Sequence, residues 1–119
     1  TGFRTYSLNW WGEFDPQGQW HKRRNVPGVT RTIAACAATD NYVYVIGGMH
    51  FGGVNTDGQV LHDIQQYDPQ TDTWRHVGDL PHGGRMNHLA FSVGKRIYVG
   101  LGENEDLQIC SNMYCIYEK

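Results

Sequence analysis

A short apolar stretch closing on glycine occurs twice in this chain, 54 residues apart. Val43-Tyr44-Val45-Ile46-Gly47-Gly48 returns as Ile97-Tyr98-Val99-Gly100-Leu101-Gly102. Trp20 and Trp74, Val26-Pro27 and Leu80-Pro81, and Arg31 and Arg85 keep the same offset. Phe14-Asp15-Pro16 comes back as Tyr67-Asp68-Pro69, and again as Tyr117-Glu118-Lys119. Self-similarity at a period of roughly 50 residues marks a repeat architecture, in which each unit buries its apolar face against its neighbours. The 119 residues hold only a little over two such periods.

The totals narrow the partners more than the chemistry. A net charge of −2 gives no basis for binding nucleic acid or an anionic membrane, and no apolar run approaches the 18 residues of a membrane span. His21-Lys22-Arg23-Arg24 is the one basic run and reads as a solvated strand end. Three cysteines is an odd number for a disulfide framework. Cys110 and Cys115, five apart, fall on opposite faces of a shared strand, so reduced thiols and a cytoplasmic location are expected. The six histidines are scattered, which argues against a metal centre, and no cofactor is expected.

Alternating apolar positions and turn residues predict nine strands and essentially no helix. They run over 6–14, 19–23, 33–38, 42–46, 64–67, 74–77, 88–92, 96–100 and 113–118. Tyr67-Asp68-Pro69-Gln70-Thr71 suits a type I turn, with the Asp side chain accepting backbone N–H groups and Pro fixing φ. Asp40-Asn41 and Gly94-Lys95 read as hairpin connections at matching places. Gly47-Gly48 is expected to end its strand and lead into a long loop.

A strand ending in Gly-Gly, a long loop, Tyr-Asp-Pro-x-Thr-x-x-Trp and then Leu-Pro-x-x-x-Arg resembles the kelch repeat. The match is strongest over residues 43–85, while Gly100-Leu101-Gly102 and the shortened Gln17-Gly18-Gln19 turn depart from the pattern. The resemblance implies an all-β, kelch-type β-propeller of which this chain supplies about two and a quarter four-stranded blades. Residues 1–29 would be the last two strands of one blade, 30–80 a complete blade, and 81–119 a truncated one. The aromatic pairs Tyr67 and Trp74, and Phe14 and Trp20, would then pack between blades. A piece of a ring cannot close, so the rest of the propeller is expected from the same longer chain, or less readily from other copies.

The same resemblance places a binding mouth on the loops joining second to third strands (49–62 and 103–112) and fourth to first strands (27–31 and 81–85). Arg31 and Arg85 are read as arginines facing that mouth, since a guanidinium fork suits carboxylate or phosphate. His50, Phe51, Asn55, Glu103 and Asn104 are the other expected partner-binding residues. Oxygens of Glu103-Asn104-Glu105-Asp106 could hold calcium, although a solvated acidic loop is the simpler reading. No nucleophile elbow, phosphate loop or zinc-binding H-E-x-x-H is present. The expectation is therefore a non-enzymatic module that recognises a protein or peptide, in the style of ubiquitin-ligase substrate adaptors. The alternatives are a kelch-like propeller enzyme (a sialic acid epimerase or a copper-radical oxidase) and an actin-associated scaffold.

Overall fold

The computed structural model describes the backbone at residues 2–3 and 7–8, and backbone and side chains over 9–51 and 58–119. Within these residues the protein is all β. A short pair, β1 (Gly2–Phe3) and β2 (Ser7–Leu8), precedes a two-stranded sheet of β3 (Gly12–Phe14) and β4 (Trp20–Lys22). Next comes a four-stranded antiparallel meander of β5 (Ala35–Ala38), β6 (Val43–His50), β7 (Gln59–Asp68) and β8 (Thr73–Asp79). Finally β9 (Leu89–Val93), β10 (Arg96–Gly100) and β11 (Met113–Tyr117) form a three-stranded meander.

The turns follow local chemistry. Asp68 Oδ1 accepts Gln70 N at 2.9 Å, and Asp15 Oδ1 accepts Gln17 N and Gln19 N at 3.0 and 2.8 Å. The Gly94-Lys95 turn joins paired Val93 and Arg96 with positive φ at Gly94 only, the signature of a type II′ hairpin. Two expectations need correction. The first predicted strand is interrupted: of 6–14, the described ladder holds only Ser7–Leu8 and Gly12–Phe14, with Tyr6 outside the described residues. Between them, single bonds from Arg23 N to Trp11 O and from Val26 N to Asn9 O carry the hairpin onward. Nor does Gly47-Gly48 end its strand. With φ of 62° and 101° the two glycines form a bulge between Ile46 and Gly48, and β6 stays paired with β7 as far as His50. A Cβ on Gly47 would lie 2.8 Å from Arg85 O, and one on Gly48 2.8 Å from Thr32 O, so the close backbone approach requires glycine.

The sheets stack face to face. One face of the four-stranded sheet (Ala37, Tyr44, Ile46, Ile64) meets Ile97 and Val99 of the next sheet, with Ala90, Tyr114 and Ile116 at its margin. Ile46, Ile97 and Val99 are completely buried, each worth about 2 kcal/mol of transfer free energy. The opposite face receives the first segment. Trp11 packs edge-on against Tyr67 and Trp74 at centroid distances of 5.5 and 5.1 Å. Polar bonds reinforce it: Arg23 Nε donates to Tyr67 Oη at 3.1 Å, Tyr67 Oη to Asp72 Oδ1 at 2.8 Å, and Trp74 Nε1 to Arg24 O at 2.9 Å. Arg23 and Arg24 of the basic run are thus structural ties between sheets. The equivalent pair Phe14 and Trp20 is in mutual contact but exposed, because no further sheet within these residues covers that face.

Register also corrects the third copy of the aromatic landmark. Val43 pairs with Tyr67, whereas its counterpart Ile97 pairs with Ile116. Ile116 therefore occupies the place of Tyr67, and Tyr117, one residue on, points to the other face and is exposed.

Candidate functional site

The innermost strands of the two larger sheets are β5 and β9, which lie against each other. Each is preceded by a lead-in segment: the one before β5 lies along the β6–β7 arm, and the one before β9 is wedged between the β6–β7 and β10–β11 arms. Thr32 bridges Met49, and Met86, its counterpart 54 residues on, bridges Glu103. The lead-in of the second sheet also reaches back to the first: Gly48 N donates to Arg85 O at 2.8 Å and Arg85 N to Leu61 O at 3.2 Å. The residue after each bridge, Ile33 in one sheet and Asn87 in the next, takes a left-handed conformation, with φ of 49° and 51°. Asn87 N donates to Ile33 O at 3.3 Å, so the two stand side by side at one end of the stacked sheets.

This end carries most of the expected binding residues, but the two arginines are internal. Arg31, only 1% exposed, directs its fork at Asp63, with Nη1 2.9 Å from Oδ1 and Nη2 2.8 Å from Oδ2. Nη1 also donates to Gly47 O at 3.0 Å. Burial works to raise the Asp63 carboxyl, but hydrogen bonds from Arg31 and Gln65 outweigh it and hold the group below the usual carboxylate range. Arg85, 5% exposed, repeats the design with neutral partners: Leu101 O at 3.1 Å, Asn112 Oδ1 at 2.6 Å and Tyr114 Oη at 3.3 Å, with the Tyr114 ring 5.4 Å away. Both forks lock a lead-in segment to the hairpin that follows it in the chain.

His50 Nδ1 contacts Thr30 O at 2.8 Å and Thr30 Oγ1 at 3.2 Å, tying the β6 arm to a lead-in segment. Phe51 is half-buried just beyond β6, and Asn55 lies outside the described residues. Glu103 accepts from exposed Asn87 Nδ2 at 3.3 Å, giving one carboxylate oriented by an amide at this end. Asn104 is turned inward: its Oδ1 accepts Asp106 N and Gln108 N, which shapes the loop. Among the described residues no three His, Cys, Asp or Glu side chains converge as metal ligands. His88 is buried beside the glycine bulge; burial keeps it neutral, and its Nε2–H donates to Ile46 O at 2.9 Å. A cleft of about 180 Å³ opens over the Arg31–Asp63 pair, lined also by Val29 and His62. A larger one of about 360 Å³, between Tyr44, Arg75 and Glu118, lies at the opposite end.

A four-stranded and a three-stranded antiparallel meander stacked face to face, innermost strands together and each lead-in arginine locked to the hairpin after it, define a β-propeller built of kelch-type blades. The fold is that of a kelch-repeat β-propeller, and residues 31–81 match the family model described as the Kelch motif. Over 102 residues it is 31% identical to an N-acetylneuraminate epimerase of Shigella sonnei (strain Ss046), and 30% identical to one of Escherichia coli (strain K12). Each alignment spans 82% of this chain and 27% of the relative. The solved structure of YjhT superposes with a TM-score of 0.71 at 28% identity, covering 82% of this chain and 29% of that one.

These relatives overturn two expectations, that the protein is a non-enzymatic module and that it is an adaptor-type partner-recognition propeller. The similar proteins carry the name of an enzyme acting on a sugar acid. The sequence misled for a physical reason. The Gly-Gly, Tyr-Asp-Pro, Trp and Arg landmarks fix how blades fold and stack, and both function classes need that frame. The residues at the open end that differ between successive blades were not singled out as pairs, although the 54-residue offset places Ile33 over Asn87 and Met49 over Glu103.

Proposed function

We propose that this chain is part of a kelch-propeller enzyme that epimerises N-acetylneuraminate or a closely related acylated sugar acid. The observation that carries the proposal is identity of about 30% along 102 residues to named N-acetylneuraminate epimerases, with backbone agreement to YjhT over the same share of the chain. The chain spans 27% of the length of those relatives. On this reading, further blades of the same polypeptide complete the ring and the remaining walls of the site.

Epimerisation inverts one stereocentre without net oxidation or hydrolysis. It needs a group that takes a proton, a group that returns one, and contacts that hold the sugar while the centre is planar or the ring open. In the residues described, Glu103 supports the proton-transfer role best. Its carboxylate stands at the end of the innermost strands and is oriented by Asn87 Nδ2, leaving oxygen capacity for a sugar hydroxyl. His50, anchored through Nδ1, supplies a second titratable ring on the neighbouring blade. Arg31 and Arg85 hold the frame for these groups, with their forks committed inside the protein.

The test uses the full polypeptide that contains these residues. Proton NMR of N-acetylneuraminate, with the protein added, follows interconversion of its ring forms and growth of any new diastereomer. Acceleration well above the spontaneous rate is expected, with Glu103→Gln lowering it about a hundredfold. A rate equal to that of buffer alone would refute the proposal.

A further inference from the structure

We infer that Ile33 is a specificity-determining residue that seats the acyl group of the substrate, with Asn87 and Glu103 beside it receiving the polar part of the same sugar. This deepens the epimerase reading and rests on it.

Ile33 breaks a local rule. A β-branched side chain is strongly disfavoured at φ near +50°, where glycine and asparagine are at ease, yet Ile33 sits at 49°. Its counterpart on the next blade is an asparagine at 51°, so the backbone frame itself demands the left-handed residue and accepts a better one. The strain is not repaid by deep packing, because Ile33 is 37% exposed. Strained residues of this kind concentrate at ligand sites, and here the position is the end of an innermost strand.

The neighbourhood gives the strain a purpose. Successive blades repeat one arrangement, a left-handed residue after a bridge residue whose partner lies on the hairpin arm. In the first the two side chains are Ile33 and Met49, and in the second Asn87 and Glu103. The bond from Asn87 N to Ile33 O brings an apolar and a polar pair next to each other on one frame. A ligand fitting such a split surface carries a small apolar group adjacent to hydroxyls or an amide, which is the chemistry of an N-acetylated sugar. The methyl of the acetamido group lies against Ile33, and Asn87 with Glu103 meets neighbouring N–H and O–H groups.

The decisive variant is Ile33→Asn, which copies the residue the next blade already uses. Measured on the full polypeptide, its Tm is expected to rise by about 3 °C as backbone strain is relieved. Ligand-observed NMR titration with two probes, N-acetylneuraminate and the analogue bearing hydroxyl in place of the acetamido group, reads the site. Wild type should prefer the acetylated probe, and Ile33→Asn should lose about tenfold in affinity for it while binding the analogue unchanged. A purely structural residue would shift both probes together. A variant that melts lower, or that keeps the preference, would overturn the inference. Epimerisation by wild type with no preference between the probes would also overturn it while leaving the epimerase reading intact. Preferential binding without epimerisation would do the reverse.

Discussion

At the scale of single residues, the pair of lead-in arginines shows how one position can carry different electrostatic demands. Asp63 and Asn112 occupy the same place on successive blades: Asp63 is bidentate to Arg31, and Asn112 Oδ1 is 2.6 Å from Arg85 Nη2. The first guanidinium is neutralised and the second is not, though both are buried. Removing one member of a buried pair strands the other, so Arg31→Ala is expected to cost about 3 kcal/mol in urea denaturation. Asn112→Asp should act in the other direction, adding about 1 kcal/mol by giving Arg85 a carboxylate. A neutral or destabilising Asn112→Asp would mean that Arg85 is already compensated by its surroundings, with Glu103, Glu105 and Asp106 the acidic groups on the adjoining loop.

At the scale of the strand and sheet, neighbouring blades are clasped by one carboxylate beyond β11. Glu118 accepts from Thr39 Oγ1 at 2.6 Å, Tyr44 Oη at 2.7 Å and Asn41 Nδ2 at 3.1 Å, all on the preceding blade. Partial burial works to raise its carboxyl, but these three donors prevail and hold it below the ordinary glutamate value. The same contact and burial push the Tyr44 hydroxyl up to about 12, so it remains a donor across the working range. A carboxyl with a depressed folded value contributes stability above its unfolded value, and loses it as pH falls through the folded one. The acid limb of the stability curve is therefore expected to set in as pH falls through the ordinary glutamate range, to run on below it to the depressed folded value, and to flatten in Glu118→Gln. An unchanged acid limb in that variant would show that the clasp does not couple folding to protons.

That scale also explains what was legible in the sequence. Turns built by Asp, Pro and Gly report their own geometry, so the hairpins at 67–71 and 94–95 could be read directly. The bulge at Gly47-Gly48 looked like a stop because glycine doublets usually break strands; only the opposing backbone of Arg85 and Thr32 reveals why the ladder continues. Likewise an arginine placed before a strand reads as a free fork until Asp63, 32 positions away, is brought beneath it. Burial and long-range pairing, invisible in a linear pattern, decided between the two roles. At the open end, which the loops did indicate, Ile33 escaped notice for a related reason: it is unremarkable as a residue and unusual only as a conformation.

At the scale of the whole molecule, the second face of the β9–β11 sheet sets the behaviour of these residues in isolation. Leu89, Phe91, Val93, Met113 and Tyr117 are between 39% and 66% exposed on that face, with Phe91 stacked on Tyr98 at 5.2 Å. Their counterparts on the preceding sheet include Ala35, Ala37 and Ile64, which are buried against a neighbouring blade. A contiguous apolar face of this kind on an all-antiparallel sheet drives association, and unpaired strand edges beside it add backbone bonds to the attraction. The 119-residue polypeptide, produced alone, is expected to self-associate in sedimentation velocity at micromolar concentration and to bind a hydrophobic dye. Replacing Phe91 and Val93 together with lysine should shift it toward monomer, because charge on this face opposes stacking without touching the buried core of Ile46, Ile97 and Val99. On the proposed reading, in which a further blade covers this face, the same double substitution should destabilise the full polypeptide. A 119-residue chain that sediments as a single monomer and leaves the dye dark would contradict the reading of this surface as a blade-packing face.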